Sequence, residues 1–452
     1  MKQSTAFERP MFTPSALRQL IIPLIIEQML ATTVGIADTV MIASVGEAAV
    51  SGISLVDSLN NLIISILAAL CTGGAVVCAQ YLGRQDVSSA RSSAKQLVYV
   101  SLAFTVVIGA VLLTSRNFFI RILFGEIADD VHANAATYLL LTSLSFPFLG
   151  VYNACAALFR SMGNSRVSLF VSAIMNVVNI GGNALLIFGC GWGVAGAGTA
   201  TLVSRAAAAV LMLVLIANPA NVIHLHKVWK VRLEGGQIRS ILSIGVPNGF
   251  ENGLFNFGKL ILQSIISTLG TAAIAANAIL GSISNIVFVP GMAMGLAMIT
   301  VVGQCVGAGD YAQAKYYVKK MMILTHLVMI AVNVPLLIFS KWIVGWFPLE
   351  ADAVAVCLQV LPVLSVLLMT IWPYAFALPN ALRAAGDARF TMIVSAISMW
   401  TLRVGLGYVF IRYFGLGVAG AWYSMFIDWV GRIAFFVPRY LGGKWQTKTV
   451  IR

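Results

Sequence analysis

The chain has 452 residues, of which 59% are apolar and 10% are charged, and its mean hydropathy is +0.91. Soluble chains carry about 25% charged residues, so this composition excludes a soluble enzyme, a disordered protein and a soluble receptor with one anchor. The net charge of +13 would suggest nucleic acid as the partner of a soluble protein. In membrane proteins, however, basic residues collect in cytoplasmic loops, and we predict an all-α polytopic membrane protein without a nucleic-acid partner.

Apolar windows long enough to cross a bilayer core, about 20 residues each, recur along the whole chain. They predict twelve transmembrane helices, at 16–42, 52–80, 96–114, 134–158, 167–189, 194–217, 240–268, 277–305, 321–340, 353–381, 390–411 and 418–437. The first apolar run is too long for the core of a signal peptide, so we expect it to be retained as a span. An even number of spans places both termini on the same side.

The distribution of basic residues predicts which side that is. Of the 29 Lys and Arg residues, 21 fall on the side of the termini, four on the other side and four within spans. By the positive-inside rule, both termini are expected in the cytoplasm and the protein in the plasma membrane, surrounded by lipid. The longest basic loop divides the spans six and six. The predicted domains are an N-terminal bundle (1–217), a cytoplasmic inter-lobe loop (218–239), a C-terminal bundle (240–438) and a basic cytoplasmic tail (439–452).

Four strings of the first half recur in order in the second half, at an offset of 224 or 223 residues. They are Pro23–Glu27 and Pro247–Glu251, Gln80–Ala90 and Gln304–Ala314, Arg160–Arg166 and Arg383–Arg389, and Gly191–Ala197 and Gly415–Ala421. Two copies of six spans have the same orientation in the membrane, and such halves usually enclose a substrate site between them. The repeat therefore predicts two pseudo-symmetric six-helix bundles and transport by alternating access.

The sequence offers no recognisable cofactor or nucleotide site. The string Gly-Trp-Gly-Val-Ala-Gly at 191–196 matches a dinucleotide fingerprint in form, but it lacks a preceding strand and a following ribose-binding acid. A Gly-Lys-Ser/Thr phosphate loop does not occur, and the six cysteines include no CxxC pair. We therefore expect no cofactor, no ATP and no metal centre beyond a possible Na⁺, and an ion gradient as the energy source.

Ionisable side chains inside spans are costly, so each is a functional hypothesis. Glu27 and Glu251 lie about 16 Å into their spans at 1.5 Å per residue, near the middle of the membrane. We interpret them as carboxylates of a central cavity that receives the substrate. An inert ion pair with Lys259 or Arg403 is the alternative.

Prolines and large apolar side chains suggest where the helices bend and what the substrate contacts. Pro23 and Pro247 each remove one helical hydrogen bond, so we predict a bend next to each of the two glutamates. Trp372, Tyr374 and Met292 could present an aromatic and thioether surface to flat organic cations. Ordinary membrane packing is the alternative for each of these three side chains.

Asp38 lies roughly 33 Å along the first span, and its repeat mate, Leu262, is uncharged. An ion-binding acid at this depth is therefore expected in the first half only. Amide and hydroxyl side chains in the fifth and sixth spans are Asn176, Asn179, Asn183, Thr199 and Thr201. An aspartate with such neighbours forms an all-oxygen set suited to Na⁺, or to a proton held on the aspartate. A structural polar cluster that joins helices is the alternative.

Together these strings resemble the multidrug and toxic compound extrusion (MATE) family, within the multidrug and polysaccharide-flippase superfamily. The resemblance covers nearly the whole chain and rests on Asp38-Thr-Val-Met41, the two Gln-x-x-Gly-x-x-Asp-x-x-x-Ala loops, the string from Asn176 to Ala197, and Trp400-x-x-Arg403. It implies two six-helix bundles around a V-shaped cavity and Na⁺- or H⁺-coupled efflux of organic cations and drugs.

The resemblance also implies a first-half cation site formed by Asp38, Asn179, Asn183 and Thr201. Two departures from the family pattern matter. Many members have aspartate where Asn183 stands, and others bind a cation in the second half through an acid where this chain has Phe255. Both departures lower the negative charge of the expected sites and leave the coupling ion open.

We therefore predict a secondary-active multidrug exporter, expected to be a monomer and not an enzyme, that exchanges organic cations or drugs for Na⁺ or H⁺. A flippase for a lipid-linked oligosaccharide or polysaccharide is the first alternative, and it predicts a basic central cavity for pyrophosphate. An integral-membrane enzyme is the second, and it predicts a cluster of His, Asp or Ser residues, which His326 alone in the ninth span cannot supply.

Overall fold

The computed structural model describes residues 10–125, 127–225, 231–347, 349–448 and 450–451. Helix is the only regular secondary structure within these ranges, which confirms the predicted all-α class. Residues 226–230 of the predicted inter-lobe loop, and Thr449 and Arg452 of the predicted tail, lie outside the described residues. The chain divides into two compact units, Pro14–Gly249 and Phe250–Arg452 with Met1–Thr13. The division falls inside a helix, whereas the predicted boundary is the loop at 218–239.

The first unit is a bundle of long helices joined by short turns. Its elements are α1 (Pro14–Ala43), α2 (Glu47–Gly83), α3 (Val87–Thr114), α4 (Arg116–Phe124), α5 (Asp129–Ser161), α6 (Ser165–Asn183), a π-helical segment (Ala184–Gly189), α7 (Gly193–Ile216) and the start of α8 (Gly235–Ser267). Small residues let these helices approach closely. A Cβ atom added to Gly52 of α2 would lie only 2.9 Å from the carbonyl oxygen of Val131 in α5.

The second unit continues along α8 and has a core rich in tryptophan. Its further elements are α9 (Thr271–Gly307), α10 (Tyr311–Val344), α11 (Ala351–Thr370), a π-helical segment (Pro373–Ala377), α12 (Leu378–Ala384), α13 (Ala388–Ser398), a π-helical segment (Met399–Gly405), α14 (Leu406–Arg412), α15 (Gly417–Leu441) and a 3₁₀ turn (Lys444–Thr447). Phe12, which precedes α1, also belongs to this unit, because its backbone N–H donates to the Tyr317 hydroxyl at 2.9 Å.

Each of the twelve predicted spans falls on one helix or on helices joined by a π-helical segment. Among the described residues, ten helices are long and apolar enough to cross a membrane. The two others, α8 and α15, are less apolar because ionisable side chains such as Lys259 and Asp428 interrupt them. Their lengths of 33 and 25 residues still exceed the roughly 20 residues that a bilayer core requires. The protein is therefore a multi-pass membrane protein.

The repeated Gly-x-Gly strings form turns at the start of α7 and α15. In the first copy, Gly191 and Gly193 have φ angles of 69° and 52°, in the left-handed region that favours glycine. The second copy, Gly415 and Gly417, repeats these values at 65° and 54°. A helix precedes each turn instead of the strand that a dinucleotide site requires, so the resemblance to that fingerprint is only formal.

The repeated Gln-x-x-Gly-x-x-Asp loops end in helix N-caps. Asp86 accepts a hydrogen bond from the Ser89 backbone N–H at 3.0 Å, and Asp310 accepts one from the Gln313 N–H at 2.9 Å. The Ser89 bond lowers the pKa of Asp86 below its ordinary value of 3.8, because it stabilises the carboxylate. The stabilisation by this cap is therefore present above pH 3.8 and is lost as the pH falls below that value.

Replacing Asp86 with alanine is expected to lower the free energy of unfolding by about 1 kcal/mol, because one backbone N–H loses its cap. Thermal unfolding of the purified protein in detergent at pH 7 measures the change. Asp310→Ala is expected to match it, whereas Ser88→Ala at the exposed neighbouring position should have no effect. An equal effect of all three substitutions would contradict the capping role.

Candidate cation site and buried charges

Asp38, near the end of α1, lies at the centre of a polar cluster in the first unit. Asn183 donates from Nδ2 to Asp38 Oδ1 at 2.8 Å. With its amide nitrogen facing the carboxylate, Asn179 donates to both Asp38 oxygens, at 2.9 and 3.2 Å. Its amide oxygen then lies 3.4 Å from Thr201 Oγ1. The structure thus brings together the four residues predicted to bind the cation.

A second acid in this region, Asp57 of α2, was not identified from the sequence. Its carboxylate accepts a hydrogen bond from Asn60 Nδ2 at 3.3 Å and is also hydrogen-bonded to Tyr138 of α5. Asp57 interacts electrostatically with Asp38. The sequence did contain a signal for this residue, because Asp57 is an ionisable side chain inside a predicted span.

Two buried amide oxygens in the cluster have no hydrogen-bond partner among the described residues. They are Oδ1 of Asn183, which is 1% exposed, and Oδ1 of Asn60, which is 3% exposed. Each belongs to an amide whose nitrogen donates to one of the two aspartates, Asp38 and Asp57. An unsatisfied buried acceptor costs about 1–3 kcal/mol. A cation bound beside Asp38 would satisfy the Asn183 oxygen and the Asp38 carboxylate together.

Arg205 of α7 supplies the positive charge of the cluster. Its Nη1 donates to Ser145 Oγ of α5 at 2.7 Å, and it lies one helical turn after Thr201, hence on the same face. Arg205 interacts electrostatically with both Asp38 and Asp57. Two carboxylates and one guanidinium leave one net negative charge, which a single monovalent cation would neutralise.

Helix geometry gives the depth of the three charged side chains within the first unit. The reference level is the end of the unit that carries the turns at 44–46 and 190–192, where α1 ends and α2 and α7 begin. At 1.5 Å per residue, Asp38, Asp57 and Arg205 lie about 7, 15 and 18 Å from that end. The backbone positions of Asp38 and Asp57 thus differ by about 8 Å in depth, a separation at which their charges still interact.

Glu27 and Glu251 are both buried and paired with arginines. In the first unit, Arg160 Nη1 lies 3.4 Å from Glu27 Oε1, and Ser168 Oγ donates to Glu27 Oε2 at 2.8 Å. In the second unit, Arg383 Nη2 lies 2.6 Å from Glu251 Oε1. These glutamates and arginines are repeat mates, so each unit contains the same ion pair.

Glu27 and Glu251 are thus ion-paired carboxylates, and their place in a substrate cavity stays a prediction. Their charges are already neutralised, and the partners are neither Lys259 nor Arg403, which the alternative interpretation named. The two pairing arginines lie beyond the predicted spans, in the last turns of α5 and α12, and their long side chains reach back to the glutamates.

Replacing Glu27 with glutamine is expected to destabilise the protein by about 1.5–3 kcal/mol, the contribution of a hydrogen bond to a charged group, because it removes the carboxylate that faces the half-buried Arg160 guanidinium. Thermal unfolding in detergent measures the loss. The double variant Glu27→Gln with Arg160→Met should recover most of it, since no buried charge is then unpaired. A double variant as unstable as the single one would show that the ion pair is not the cause.

The three large side chains predicted to contact substrate differ in exposure. Trp372 is only 2% exposed, and its ring stacks on Phe376 and Phe288 at centroid distances of 5.2 and 6.0 Å. It is therefore a core residue of the second unit, as the packing alternative expects, and its contact with substrate stays a prediction. Tyr374 and Met292 are 38% and 55% exposed, and their contact with substrate stays a prediction.

The two prolines predicted to bend helices lie inside continuous helices. α1 runs through Pro23 and α8 runs through Pro247. Both prolines are buried, and each lies one turn before the glutamate of an ion pair. Because proline removes one helical hydrogen bond, these positions are the locally weak points of the two helices, and bending at them stays a prediction.

The second unit has no acid at the position that corresponds to Asp38. Its repeat mate, Leu262, is buried in the apolar core of that unit. Phe255, which replaces the family's second-half acid, instead contacts two cations: the guanidinium carbons of Arg403 and Arg432 lie 5.2 and 5.7 Å from its ring centroid. The cation site proposed on the basis of Asp38 therefore has no counterpart here.

Comparisons with known proteins bear on the repeat and on the fold. The MatE family model matches residues 23–185 and 247–409, and this second match begins 224 residues after the first, as the repeat predicts. The uncharacterized transporter YisQ of Bacillus subtilis is 28% identical over 445 residues, 96% of each chain. The probable multidrug resistance protein NorM of Thermotoga maritima is 28% identical over 441 residues, 96% of this chain and 93% of its own.

Two solved structures share the fold. A MOP superfamily transporter from Pyrococcus furiosus and a MATE protein in the bent conformation each superimpose with a TM-score of 0.88, at 20% identity over 96% of both chains. At this identity the likeness shows the fold alone. Together with the helices described above, it confirms the predicted polytopic architecture.

Proposed function

We propose, since the chain belongs to the MatE family, that it is a secondary-active exporter of drug-like organic compounds driven by Na⁺ or H⁺. Its relatives are named as transporters or probable multidrug resistance proteins, and its helices are those of a multi-pass membrane protein. The observation that carries ion coupling is the Asp38 cluster, in which two acids, one arginine and two unpartnered amide oxygens leave room for one monovalent cation.

Coupling follows from the position of this cluster on α1. The same helix carries Pro23, the Glu27 ion pair and Asp38, so a cation at Asp38 changes the charge at one end of a helix with a weak point near the other. A cation that binds one conformation of α1 more tightly shifts the equilibrium toward it. A substrate that prefers the other conformation then lowers the apparent affinity for the cation, and the cation lowers the apparent affinity for the substrate by the same factor. This mutual exclusion is what alternating access requires.

The proposal includes the predicted topology. The concentration of basic residues on one side supports a plasma-membrane protein with both termini in the cytoplasm. The exporter is proposed to act as a monomer and to require no ATP. A preference for organic cations is part of the family resemblance, and the exposed side chains of Tyr374 and Met292 support it.

A flippase for lipid-linked oligosaccharides or polysaccharides is a second candidate, which one observation favours. That function predicts a basic surface for pyrophosphate. In the described part of the second unit, Lys259 and Arg403 lie within membrane helices and take part in none of the ion pairs seen there. The uptake experiment below therefore includes a test for lipid movement.

Reconstituted vesicles distinguish the two candidates. Uptake of ethidium or norfloxacin under an imposed pH or Na⁺ gradient is expected, and it should cease when the gradient is collapsed by an ionophore. Measuring the drug-evoked pH change with and without Na⁺ identifies the coupling ion. Absence of drug flux under both gradients, together with transbilayer movement of a labelled lipid, would replace the exporter with the flippase.

A further inference from the structure

Two basic side chains of the second unit, Arg403 and Lys259, form no salt bridge among the residues described there. Arg403 lies in the π-helical segment Met399–Gly405, and its buried Nε has no hydrogen-bond partner. Lys259 of α8 is close enough to Arg403 for the two like charges to repel. Unpaired charges are costly inside a membrane and are functional candidates by default.

A third basic side chain, Arg432, lies near Arg403, and both contact the ring of Phe255. The guanidinium groups of Arg403 and Arg432 both approach its ring, at 5.2 and 5.7 Å from the centroid. Lys259 lies one helical turn after Phe255, hence on the same face of α8. Arg432 is 3% exposed, and its Nη2 has no partner among the described residues. Two buried guanidinium N–H groups are thus available to a ligand.

The acids of the second unit do not balance this cluster. Asp428 accepts from Arg432 Nε at 3.0 Å and from Ser398 Oγ at 2.5 Å. Glu251 is already paired with Arg383. With Asp428 as countercharge, the three cations of the cluster leave two net positive charges.

We propose that Arg403, Lys259 and Arg432 bind an anionic group, a carboxylate or a phosphate. Guanidinium groups suit both because they form paired, charge-assisted hydrogen bonds with planar or tetrahedral oxyanions. Trp400, in the same π-helical segment as Arg403, contacts the exposed ring of Phe257 at a centroid distance of 5.9 Å. This aromatic surface suits a flat apolar body attached to the anionic group.

The ligand class is therefore an amphipathic anion or zwitterion. That this ligand is the transported molecule rests on the proposed export function. A phospholipid headgroup offers the same phosphate chemistry, and the experiment below distinguishes the two sources.

Binding of norfloxacin and of its methyl ester, which lacks the free carboxylate, tests the site. The purified protein is placed in phosphatidylcholine nanodiscs, and affinity is measured at equilibrium. Arg403→Gln should weaken norfloxacin binding by about 10- to 100-fold, the loss expected for a charged hydrogen bond, and leave ester binding unchanged. Arg412→Gln, which removes an exposed arginine of α14, is the matched control and should change neither affinity.

Phosphatidylglycerol added to the same nanodiscs tests the lipid source. A rise in thermal stability of the wild type that Arg403→Gln abolishes would assign the site to a lipid phosphate. A carboxylate-dependent loss of norfloxacin binding assigns it to the transported molecule. The proposed anion site would be wrong if Arg403→Gln weakened the binding of norfloxacin and of its ester equally. It would also be wrong if the variant matched the wild type both in norfloxacin affinity and in stabilisation by phosphatidylglycerol.

Two further measurements keep the test valid if Arg403→Gln does not fold, and distinguish failure of the anion site from failure of the export function. Lys259→Gln, at an exposed position, should also weaken norfloxacin selectively, and it replaces Arg403→Gln if that variant does not fold. Gradient-driven ethidium uptake, measured in parallel, does not depend on the anion site. Its absence would overturn the export function while leaving the binding result valid.

Discussion

Replacing Asp38 with asparagine is expected to reduce gradient-driven drug uptake by about tenfold or more, within the range typical of lost energetic coupling between sites. The substitution preserves the size of the side chain but removes the charge that a cation would neutralise. It also places an amide where Asn179 and Asn183 both donate hydrogen bonds to the carboxylate. Uptake of ethidium into vesicles under an imposed pH or Na⁺ gradient measures the loss.

Two controls show whether the loss concerns coupling. Drug binding to Asp38→Asn without a gradient should stay close to that of the wild type, because no contact to the substrate is removed. Glu47→Gln, which neutralises an exposed acid at the start of α2, should transport normally. Full gradient-driven uptake by Asp38→Asn would mean that the coupling acid lies elsewhere in the chain.

The helices were predicted well from the sequence. An apolar run inside a bilayer must satisfy all its backbone N–H and C=O groups internally, and an α-helix does so. The predicted helices were too short: α2 begins at Glu47 rather than at residue 52, since polar turns extend the helix beyond the apolar run. The π-helical segments at 184–189 and 399–405 were not predicted. A shift from i→i+4 to i→i+5 hydrogen bonds leaves no mark in the hydropathy pattern.

The polar cluster around Asp38 follows from the sequence in part, and the limit is one of tertiary structure. Asn179 and Asn183 are one turn apart, so their common face follows from helix geometry alone. Asp57 joins them only because α2 packs beside α5 and α7, which periodicity does not specify. The same limit applies to Glu27, whose partner Arg160 is 133 residues away along the chain.

Asp57 also accounts for the departure of Asn183 from the family pattern. Where many members place a second acid on the fifth span, this chain has an amide, and the structure supplies the second carboxylate from α2. Arg205 limits the net charge of the two acids to that of one cation. We therefore propose that the cluster holds one monovalent ion, with its two acids on α1 and α2.

Replacing Asp57 with asparagine is accordingly expected to raise the cation concentration for half-maximal drug uptake by about tenfold, the effect of losing roughly 1.4 kcal/mol of binding free energy. Tyr138 can still donate to the new amide oxygen, so the packing of α2 against α5 is preserved. The measurement is drug uptake over a series of imposed Na⁺ or H⁺ concentrations, with Glu47→Gln as the matched acid on the same helix.

The decisive variant moves the carboxylate back to the fifth span. Asp57→Asn combined with Asn183→Asp restores two acids beside Arg205 and should recover most of the cation affinity, because the charge of the cluster matters more than the helix that supplies it. Recovery with Asn183→Asp but not with a distant acid would confirm a shared ion site. If Asp57→Asn leaves the cation dependence unchanged while Asp38→Asn abolishes uptake, Asp38 binds the ion alone, and Asp57 serves only to neutralise Arg205.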